Sequence, residues 1–226
     1  MCGRFAYFVP TATLLGEYQL AQAPEIAPHY NVAPTQDVVA IRQADNGARE
    51  AVPLRWGLVP HWAKDLAIGH RMINARGETV ADKPAFRSSF KTRRCIIPAS
   101  GFYEWSQTAA GKWPYFITAD GAPLLSMAGL WARWQHGDDA AVETCTIVTV
   151  AASPALAHIH ARMPLCLSSR EYADWLDPAT PDEVCRGLVA ANDTPIFAFH
   201  PVARTVNNPR NESAALVRPV ELPERP

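Results

Sequence analysis

The chain begins Met1-Cys2-Gly3-Arg4-Phe5, and its second residue is the first candidate for chemistry. Aminopeptidases that remove an initiator Met accept a small second residue, and cysteine is small. Removal would leave Cys2 with an α-amine and a thiol on adjacent carbons, titrating near pH ~8 and ~8.5. An aldehyde condenses with such an amine to a Schiff base, and the thiol then closes a five-membered thiazolidine ring. The alternative interpretation is that a cysteine in second position is incidental.

A second group of polar residues lies at 74–78, in the order Asn-Ala-Arg-Gly-Glu. The amide of Asn74 can orient a nucleophile or polarise a carbonyl, and the guanidinium of Arg76 can pair with a phosphate. Glu78 directly precedes a predicted helix, where the helix dipole stabilises an acidic side chain in the first turn. Its role could therefore be structural.

Glu104 lies between aromatic residues in the sequence Gly-Phe-Tyr-Glu-Trp at 101–105. An apolar setting raises the pKa of a carboxyl group and suits it to general acid/base catalysis. The alternative is a strand glutamate that faces water.

The sequence His158-Ile-His160-Ala-Arg162 resembles a metal-ligand pair at first sight. A third ligand is not evident, and residues two apart near the end of a predicted helix do not share one face. We therefore predict no metal site. His160 beside Arg162 fits an acid/base residue next to an anion-binding guanidinium better.

Basic and aromatic residues concentrate between 55 and 94, with few acids among them. Cations that bind phosphates and flat rings that stack on unstacked bases are what single-stranded nucleic acid requires. The alternative is that the tryptophans pack in the core, which is the commoner fate of this residue. The set comprises Arg55, Trp56, Trp62, Lys64, Arg71, Arg76, Arg87, Lys91, Arg93 and Arg94, with Arg4 and Arg162 outside the stretch.

The overall charge and composition limit these interpretations. The net charge of −1 argues against binding of nucleic acid by bulk charge, although a local basic groove remains compatible with it. The sequence has no apolar run long enough to cross a bilayer and no secretory signal pattern, so we expect a cytoplasmic protein. The five cysteines contain no C-x-x-C pair, which disfavours structural zinc, and three of them lie in apolar, strand-like runs: Cys95, Cys145 and Cys166.

Strands dominate the predicted elements. Runs that carry β-branched or aromatic residues and end at turn formers predict strands at 38–42, 54–59, 94–98, 101–105, 115–118, 124–131, 145–151, 165–167 and 196–199. Helices are predicted at 12–18, 79–90, 155–160, 170–176 and 182–190. Because the two types do not alternate, we predict an α+β fold with a mainly antiparallel, barrel-like sheet and flanking helices. We expect one domain over 1–211 and a C-terminal tail over 212–226 whose end frays.

Seven stretches, taken in order, resemble the SOS-response-associated peptidase family, whose members are also called abasic-site processing proteins. They are MCGRF, YNVAPTQ, RWGLVPHWAKD, INARGETV, KPAFRSSFKTRRCIIPASGFYEW, HARMP and VNNPRN, and they extend from Cys2 to about Asn211. The resemblance implies a single α+β domain in which Cys2, once Met1 is removed, forms a thiazolidine link with the aldehyde of an abasic site.

The resemblance also implies roles for individual residues. Asn74 helps to hold the cysteine and the sugar, Glu104 assists formation and reversal of the Schiff base, and His160 acts as acid/base on the opened deoxyribose. Arg76 and Arg162 match the phosphate-binding arginines of the family. Further roles in contacting the DNA or shaping its cleft are inferred for Arg4, Asn31, Trp56 and Trp62.

The implied partner is single-stranded DNA that carries abasic sites, including junctions between single and double strands. A duplex would have to bend sharply or end near the site before its aldehyde could reach the cleft. Covalent capture also explains how a chain of net charge −1 retains DNA, because a few arginines need only hold the strand while the bond forms. We expect no cofactor and a monomer. Two hypotheses follow: self-removal of Met1, and β-elimination at the abasic site through the Schiff base.

Two rival functions remain open on the sequence alone. In a cysteine peptidase acting on other proteins, Cys2, His160 and Asn74 would be nucleophile, base and orienting residue. A non-catalytic module that binds damaged DNA would need no Cys2 and would bind in a salt-sensitive way.

Overall fold

The computed structural model describes residues 2–109, 111–137, 140–192 and 195–222. Its strands are β1 (Phe5–Tyr7), β2 (His29–Val32), β3 (Asp37–Gln43), β4 (Arg49–Trp56), β5 (Asn74–Arg76), β6 (Arg94–Ala99), β7 (Gly101–Thr108), β8 (Gly111–Ala119), β9 (Leu125–Trp134), β10 (Val142–Ala151), β11 (Arg162–Pro164) and β12 (Phe197–Pro201). The α-helices are α1 (Thr11–Tyr18), α2 (Gly77–Val80), α3 (Arg87–Thr92), α4 (Tyr172–Leu176) and α5 (Asp182–Ala191). Short 3₁₀ helices span Leu66–Arg71, Arg204–Asn207 and Ala214–Val217.

Five strands close into a barrel in the order β10, β4, β3, β6, β9, and the pairing of β9 with β10 completes the ring. Neighbours in this ring are antiparallel except β4 and β10, which are parallel. Strand β10 continues beyond β4. Its second half pairs with β5 in parallel on one side and with β11 antiparallel on the other.

The second sheet is antiparallel throughout, in the order β12, β8, β7, β1, β2. Strand β1 is therefore an inner strand, paired with β2 through Phe5 and Val32 and with β7 through Phe5 and Phe102. The backbone N–H of Tyr103 donates to the Arg4 carbonyl at 2.9 Å, which extends this pairing toward Cys2.

Buried apolar side chains from both sheets form one large cluster. Every residue of β6 is buried, as expected for a strand covered on both faces. The three cysteines predicted to be buried in strands are all inaccessible, with Cys166 in an isolated bridge to Met127. Helix α4 buries Tyr172, Trp175 and Leu176 against the core.

Four predicted elements are wrong in detail. The strand predicted at 54–59 ends at Trp56, because Gly57 has a φ of 126°, outside the range of a strand. The helix predicted at 79–90 is two short helices separated by turns, because Pro84 lacks an amide hydrogen and biases its preceding residue away from helix. Residues 155–160 form successive turns, in which the His160 N–H donates to the Leu156 carbonyl at 3.1 Å, rather than a helix. The strand predicted at 165–167 lies at Arg162–Pro164 instead.

The α+β class with a barrel and a mainly antiparallel sheet is confirmed. The described part of the tail packs on the sheet: Leu216 is buried, Glu212 contacts His29, and the Val220 N–H donates to the Pro201 carbonyl. Within the described ranges, no helix has the length and apolar character needed to cross a membrane.

Candidate active site

Cys2 is fully buried just before β1, where the sheet meets the barrel. The side chain of Asn74, at the start of β5, donates from Nδ2 to the Cys2 carbonyl at 2.7 Å. Asn74 is held by the pairing of β5 with β10, and Cys2 lies three residues before Phe5, the first residue of β1, which is paired with β7. The bond therefore joins the two sheets at the predicted nucleophile.

Glu104 is brought to the same place by the register of β7. Phe5 pairs with Phe102 and Ala6 with Gly101, so the same register places Glu104 opposite Gly3, next to Cys2. Its side chain is 5% exposed. Burial raises the pKa of the Cys2 thiol well above its usual range, and the nearby Glu104 carboxylate raises it further. With Met1 still attached, the thiol is therefore held in its neutral form.

His160 follows the turns at 154–159 and approaches Glu104, with 3.9 Å between Nδ1 of the imidazole and Oε1 of the carboxylate. The same Nδ1 lies 2.9 Å from the Arg162 amide nitrogen and 3.0 Å from the Arg162 carbonyl oxygen. A neutral ring can accept from the amide, and a ring protonated at Nδ1 can donate to the carbonyl. Both tautomers of the ring thus have a backbone partner at Nδ1.

Asn74 has a second polar atom at the site. Its Oδ1 is buried and has no hydrogen-bond partner among the residues that the structure describes. Buried acceptors in native proteins are nearly always satisfied, so an open one beside a candidate nucleophile marks a position for a ligand group.

The two predicted phosphate-binding arginines flank the second half of β10. Arg76 is paired with Thr149 through β5 and is exposed, whereas Arg162 is paired with Ala151 through β11. The Arg162 guanidinium is already engaged, because Nη1 and Nη2 donate to the Glu78 carboxylate and Nη2 also donates to the Thr149 carbonyl.

Arg4, which is half-buried, and Asn31, which is buried, are joined by a hydrogen bond. Arg4 Nη1 donates to Asn31 Oδ1 at 2.6 Å and to the Val206 carbonyl at 2.9 Å, and burial lowers the pKa of Arg4. Asn31 is 0% exposed, and its Nδ2 donates to the carbonyls of Asn208 and Asn211 at 3.1 and 2.9 Å. In this structure Asn31 is therefore placed to shape the site by fixing the segment 206–211, and it offers no surface to DNA.

The two predicted tryptophans differ. Trp56 is 0% exposed and donates from Nε1 to the Ile73 carbonyl at 2.9 Å, while its ring packs edge-on against Phe5. Its placement matches the core alternative, and it contributes to the wall beneath the site. Trp62 is 50% exposed and is open to stacking.

The basic residues between 55 and 94 also differ in their exposure. Arg94 is buried and donates to the carbonyls of Trp175 and Phe90 at 2.6 Å, so it holds helices α3 and α4 and cannot meet a phosphate. Lys64, Arg71, Arg87, Lys91 and Arg93 are exposed.

Two structural partners of the site could not be predicted from the sequence. Thr149 holds Arg162 through its carbonyl, and the carbonyls of 206–211 hold Arg4 and Asn31. Contacts through backbone atoms leave no mark on residue type, although the stretch VNNPRN is among those that resemble the family. No cluster of three metal-ligating side chains occurs in the described ranges.

The fold and this arrangement define a class: an α+β barrel protein with a buried cysteine at position 2, an amide and a carboxylate close to that cysteine, and an imidazole close to the carboxylate. Comparison with known proteins gives the family. The sequence profile of the SOS response associated peptidase (SRAP) family matches residues 1–209, and the chain belongs to this family.

Several relatives carry descriptive names. The chain is 38% identical to "Abasic site processing protein YoaM" of Bacillus subtilis, covering 96% of this chain and 97% of the relative. It is 34% identical to "Abasic site processing protein YedK" of Escherichia coli, covering 97% and 100%. A solved structure from Bacteroides thetaiotaomicron has the same fold, with a TM-score of 0.84, 24% identity, and coverage of 97% and 100%.

Proposed function

We propose that this protein processes abasic sites in single-stranded DNA by bonding covalently to them through Cys2. The observation that carries the proposal is that Asn74 and Glu104 lie close to the second residue and His160 lies close to Glu104, in a family whose relatives are named for abasic-site processing.

The chemistry uses both functional groups of a mature N-terminal cysteine. Removal of Met1 frees the α-amine of Cys2. This amine adds to the aldehyde of the ring-opened deoxyribose, and loss of water gives a Schiff base. The thiol then adds across the C=N bond, its proton passes to the nitrogen, and a thiazolidine results.

Proton transfers at the sugar are assigned to the acid/base pair. Opening the deoxyribose ring requires a proton to leave the hydroxyl and one to reach the ring oxygen. His160 Nδ1 and Glu104 Oε1 lie 3.9 Å apart, so one group can accept a proton while the other donates one. Asn74 holds the Cys2 carbonyl through Nδ2 and leaves Oδ1 for the amine or the sugar hydroxyl.

The DNA is held by a few contacts. Arg76 and Arg162 on either side of β10 take the phosphates that flank the abasic site, and exposed Trp62 offers a ring for an unstacked base. Two further activities belong to the proposal: removal of Met1 by the same site, and β-elimination from the Schiff base, which would cleave the strand.

The peptidase alternative is less well supported. Cysteine peptidases lower the pKa of their nucleophile with a neighbouring cation, whereas burial and Glu104 raise the pKa of Cys2 here. The raised pKa of Cys2 therefore disfavours a thiolate nucleophile.

The test is a denaturing gel of purified protein mixed with single-stranded DNA carrying one abasic site, accompanied by an intact-mass spectrum. We expect a shifted band that requires Cys2, the aldehyde and loss of Met1. Inserting an alanine before Cys2 should abolish the band, because the amine and thiol then belong to different residues. Mature protein that gives no band would overturn the proposal. Retention of Met1 by Glu104→Ala in an aminopeptidase-deficient host would support self-processing, and full removal there would refute it.

A further inference from the structure

Glu78 and Arg162 form a bidentate ion pair at the edge of the candidate site. Both carboxylate oxygens of Glu78, on α2, accept from the Arg162 guanidinium, with 3.0 Å between Nη2 and Oε2. The arginine side chain is 19% exposed and the glutamate side chain 54%. Hydrogen bonding from Arg162 lowers the pKa of Glu78, so the carboxylate is charged at neutral pH.

This pair occupies the donors that a phosphate would need. Nη1 and Nη2 of Arg162 are bound to Glu78, Nη2 also donates to Thr149, and Nε is buried. A carboxylate and a phosphate present paired oxygens to a guanidinium in the same way. A DNA phosphate can therefore reach Arg162 with paired hydrogen bonds only by displacing Glu78.

We propose that Glu78 is an internal competitor for the DNA phosphate, a positioning residue that weakens the hold of Arg162 on any strand. The inference rests on the proposed function and deepens it. Competition at Arg162 lowers the affinity for intact and abasic strands alike. Stable retention then depends on the covalent bond to Cys2, and the aldehyde rather than charge selects the strand.

The Glu78 carboxylate can move into an open cavity when a phosphate displaces it from Arg162. Glu78 lines an open cavity of 360 Å³ whose wall also includes Arg186 of α5. Arg186 already pairs with Asp82 at 2.8 Å, so this side of the molecule carries a second cation within the same cavity. Leaving Arg162 therefore does not require the glutamate to be buried without a partner.

The test compares two variants that each remove one negative charge from this face. Glu78→Gln removes the competitor of Arg162, whereas Asp82→Asn breaks the neighbouring pair with Arg186 and leaves Arg162 untouched. Both are made in a Cys2→Ala background. Binding is measured by fluorescence anisotropy to one oligonucleotide with a tetrahydrofuran abasic analogue, which has no aldehyde, and to one intact oligonucleotide.

We expect Glu78→Gln to tighten binding to both oligonucleotides about twofold to fivefold, the range for loss of an exposed competing ion pair. Asp82→Asn should leave binding unchanged. Equal gains for the two variants would show general electrostatics, and no gain from Glu78→Gln would show a merely structural pair; either result overturns the inference.

Capture kinetics with native Cys2 provide a second readout. Glu78→Gln should lower the DNA concentration at half-maximal rate and leave the saturating rate of crosslinking unchanged. A lower saturating rate would place Glu78 in the chemistry and contradict its role as a competitor. If the parent protein formed no crosslink but Glu78→Gln still bound DNA more tightly, the proposed function would fail and the competition would stand. If the parent protein formed the crosslink but Glu78→Gln gave no gain in binding, the competition would fail and the proposed function would stand.

Discussion

The bond between Asn74 and Cys2 is the feature whose removal tests the site most directly. Asn74→Ala deletes the Nδ2 donor that lies 2.7 Å from the Cys2 carbonyl. Cys2 is fully buried, so water does not replace the lost donor without rearrangement. The variant keeps the backbone pairing of β5 with β10, so Cys2 loses the hydrogen bond from Asn74 while the sheet stays intact.

The magnitude follows from the cost of an unsatisfied buried acceptor, about 1–3 kcal/mol. If this whole cost is added to the activation free energy of crosslinking, the reaction slows by about 5-fold to 150-fold. The same cost appears in stability, where about 1 kcal/mol shifts the melting temperature by roughly 2–4 °C in a chain of this size.

The assay is single-turnover crosslinking at saturating abasic single-stranded DNA, read on denaturing gels, with melting temperature measured in parallel. Asn46→Ala is the matched control, because Asn46 also makes a side-chain hydrogen bond to backbone, at 3.0 Å from the Ala48 amide nitrogen, in the distant turn between β3 and β4. It should react at the parental rate. A parental rate for Asn74→Ala, at saturation and with a normal melting temperature, would refute the positioning role.

Three further predictions concern stability. Burial raises the pKa of three thiols, those of Cys95, Cys145 and Cys166. They stay protonated in the folded state while the unfolded thiols ionise, so stability falls as pH rises past ~8.5. Denaturant titration under reducing conditions should show a loss of about 1 kcal/mol per thiol between pH ~8.5 and ~9.5, and a flat profile would contradict it. Gly77→Ala should destabilise the fold by about 1–3 kcal/mol, because the added Cβ would lie 2.6 Å from Val189 Cγ1. Gly187→Ala is the control: a Cβ there would meet nothing within 4 Å, so this variant should not lower the melting temperature. Trp56→Phe removes the Nε1 donor that lies 2.9 Å from the Ile73 carbonyl, which keeps the Ile147 N–H at 3.1 Å as a second donor. We expect a cost of about 0.5–1.5 kcal/mol by the same denaturant assay, the range for one hydrogen bond whose acceptor stays satisfied, and unchanged stability would show that water or a shift replaces the bond.

The sequence predicts the barrel well because its strands are long and bury contiguous apolar runs. The stretch 124–131 corresponds to β9 and 145–151 to most of β10, and the fold class follows from them. Strands β1 and β5 have three residues each, too short for any periodicity to be read. They exist because β7 and β10 supply their hydrogen bonds, and pairing between distant segments is not encoded locally.

Some features of the candidate site could likewise be predicted from the sequence, and others could not. The types of Cys2, Glu104 and His160 suggested chemistry because a thiol, a carboxyl and an imidazole can each transfer protons or attack carbon. Burial of Asn31 and Arg94 was not predictable, because both residue types are usually exposed and their partners are mostly backbone carbonyls far along the chain. The ion pair between Glu78 and Arg162 joins residues 84 apart, so neither local sequence reveals it.

The proposed chemistry requires that the fold hold the first residues of the chain in a fixed position. A nucleophile generated at a chain terminus would ordinarily fray, because termini have few restraints. Here β1 is an inner strand held on both sides, the Arg4 carbonyl accepts from the Tyr103 amide, and Asn74 holds the Cys2 carbonyl. The entropy of the terminus is thus lost during folding rather than at the moment of reaction. In the proposed reaction the sheet holds the amine in a fixed position, which raises its effective concentration toward a bound aldehyde. The arginines then need only bring a DNA strand to the site.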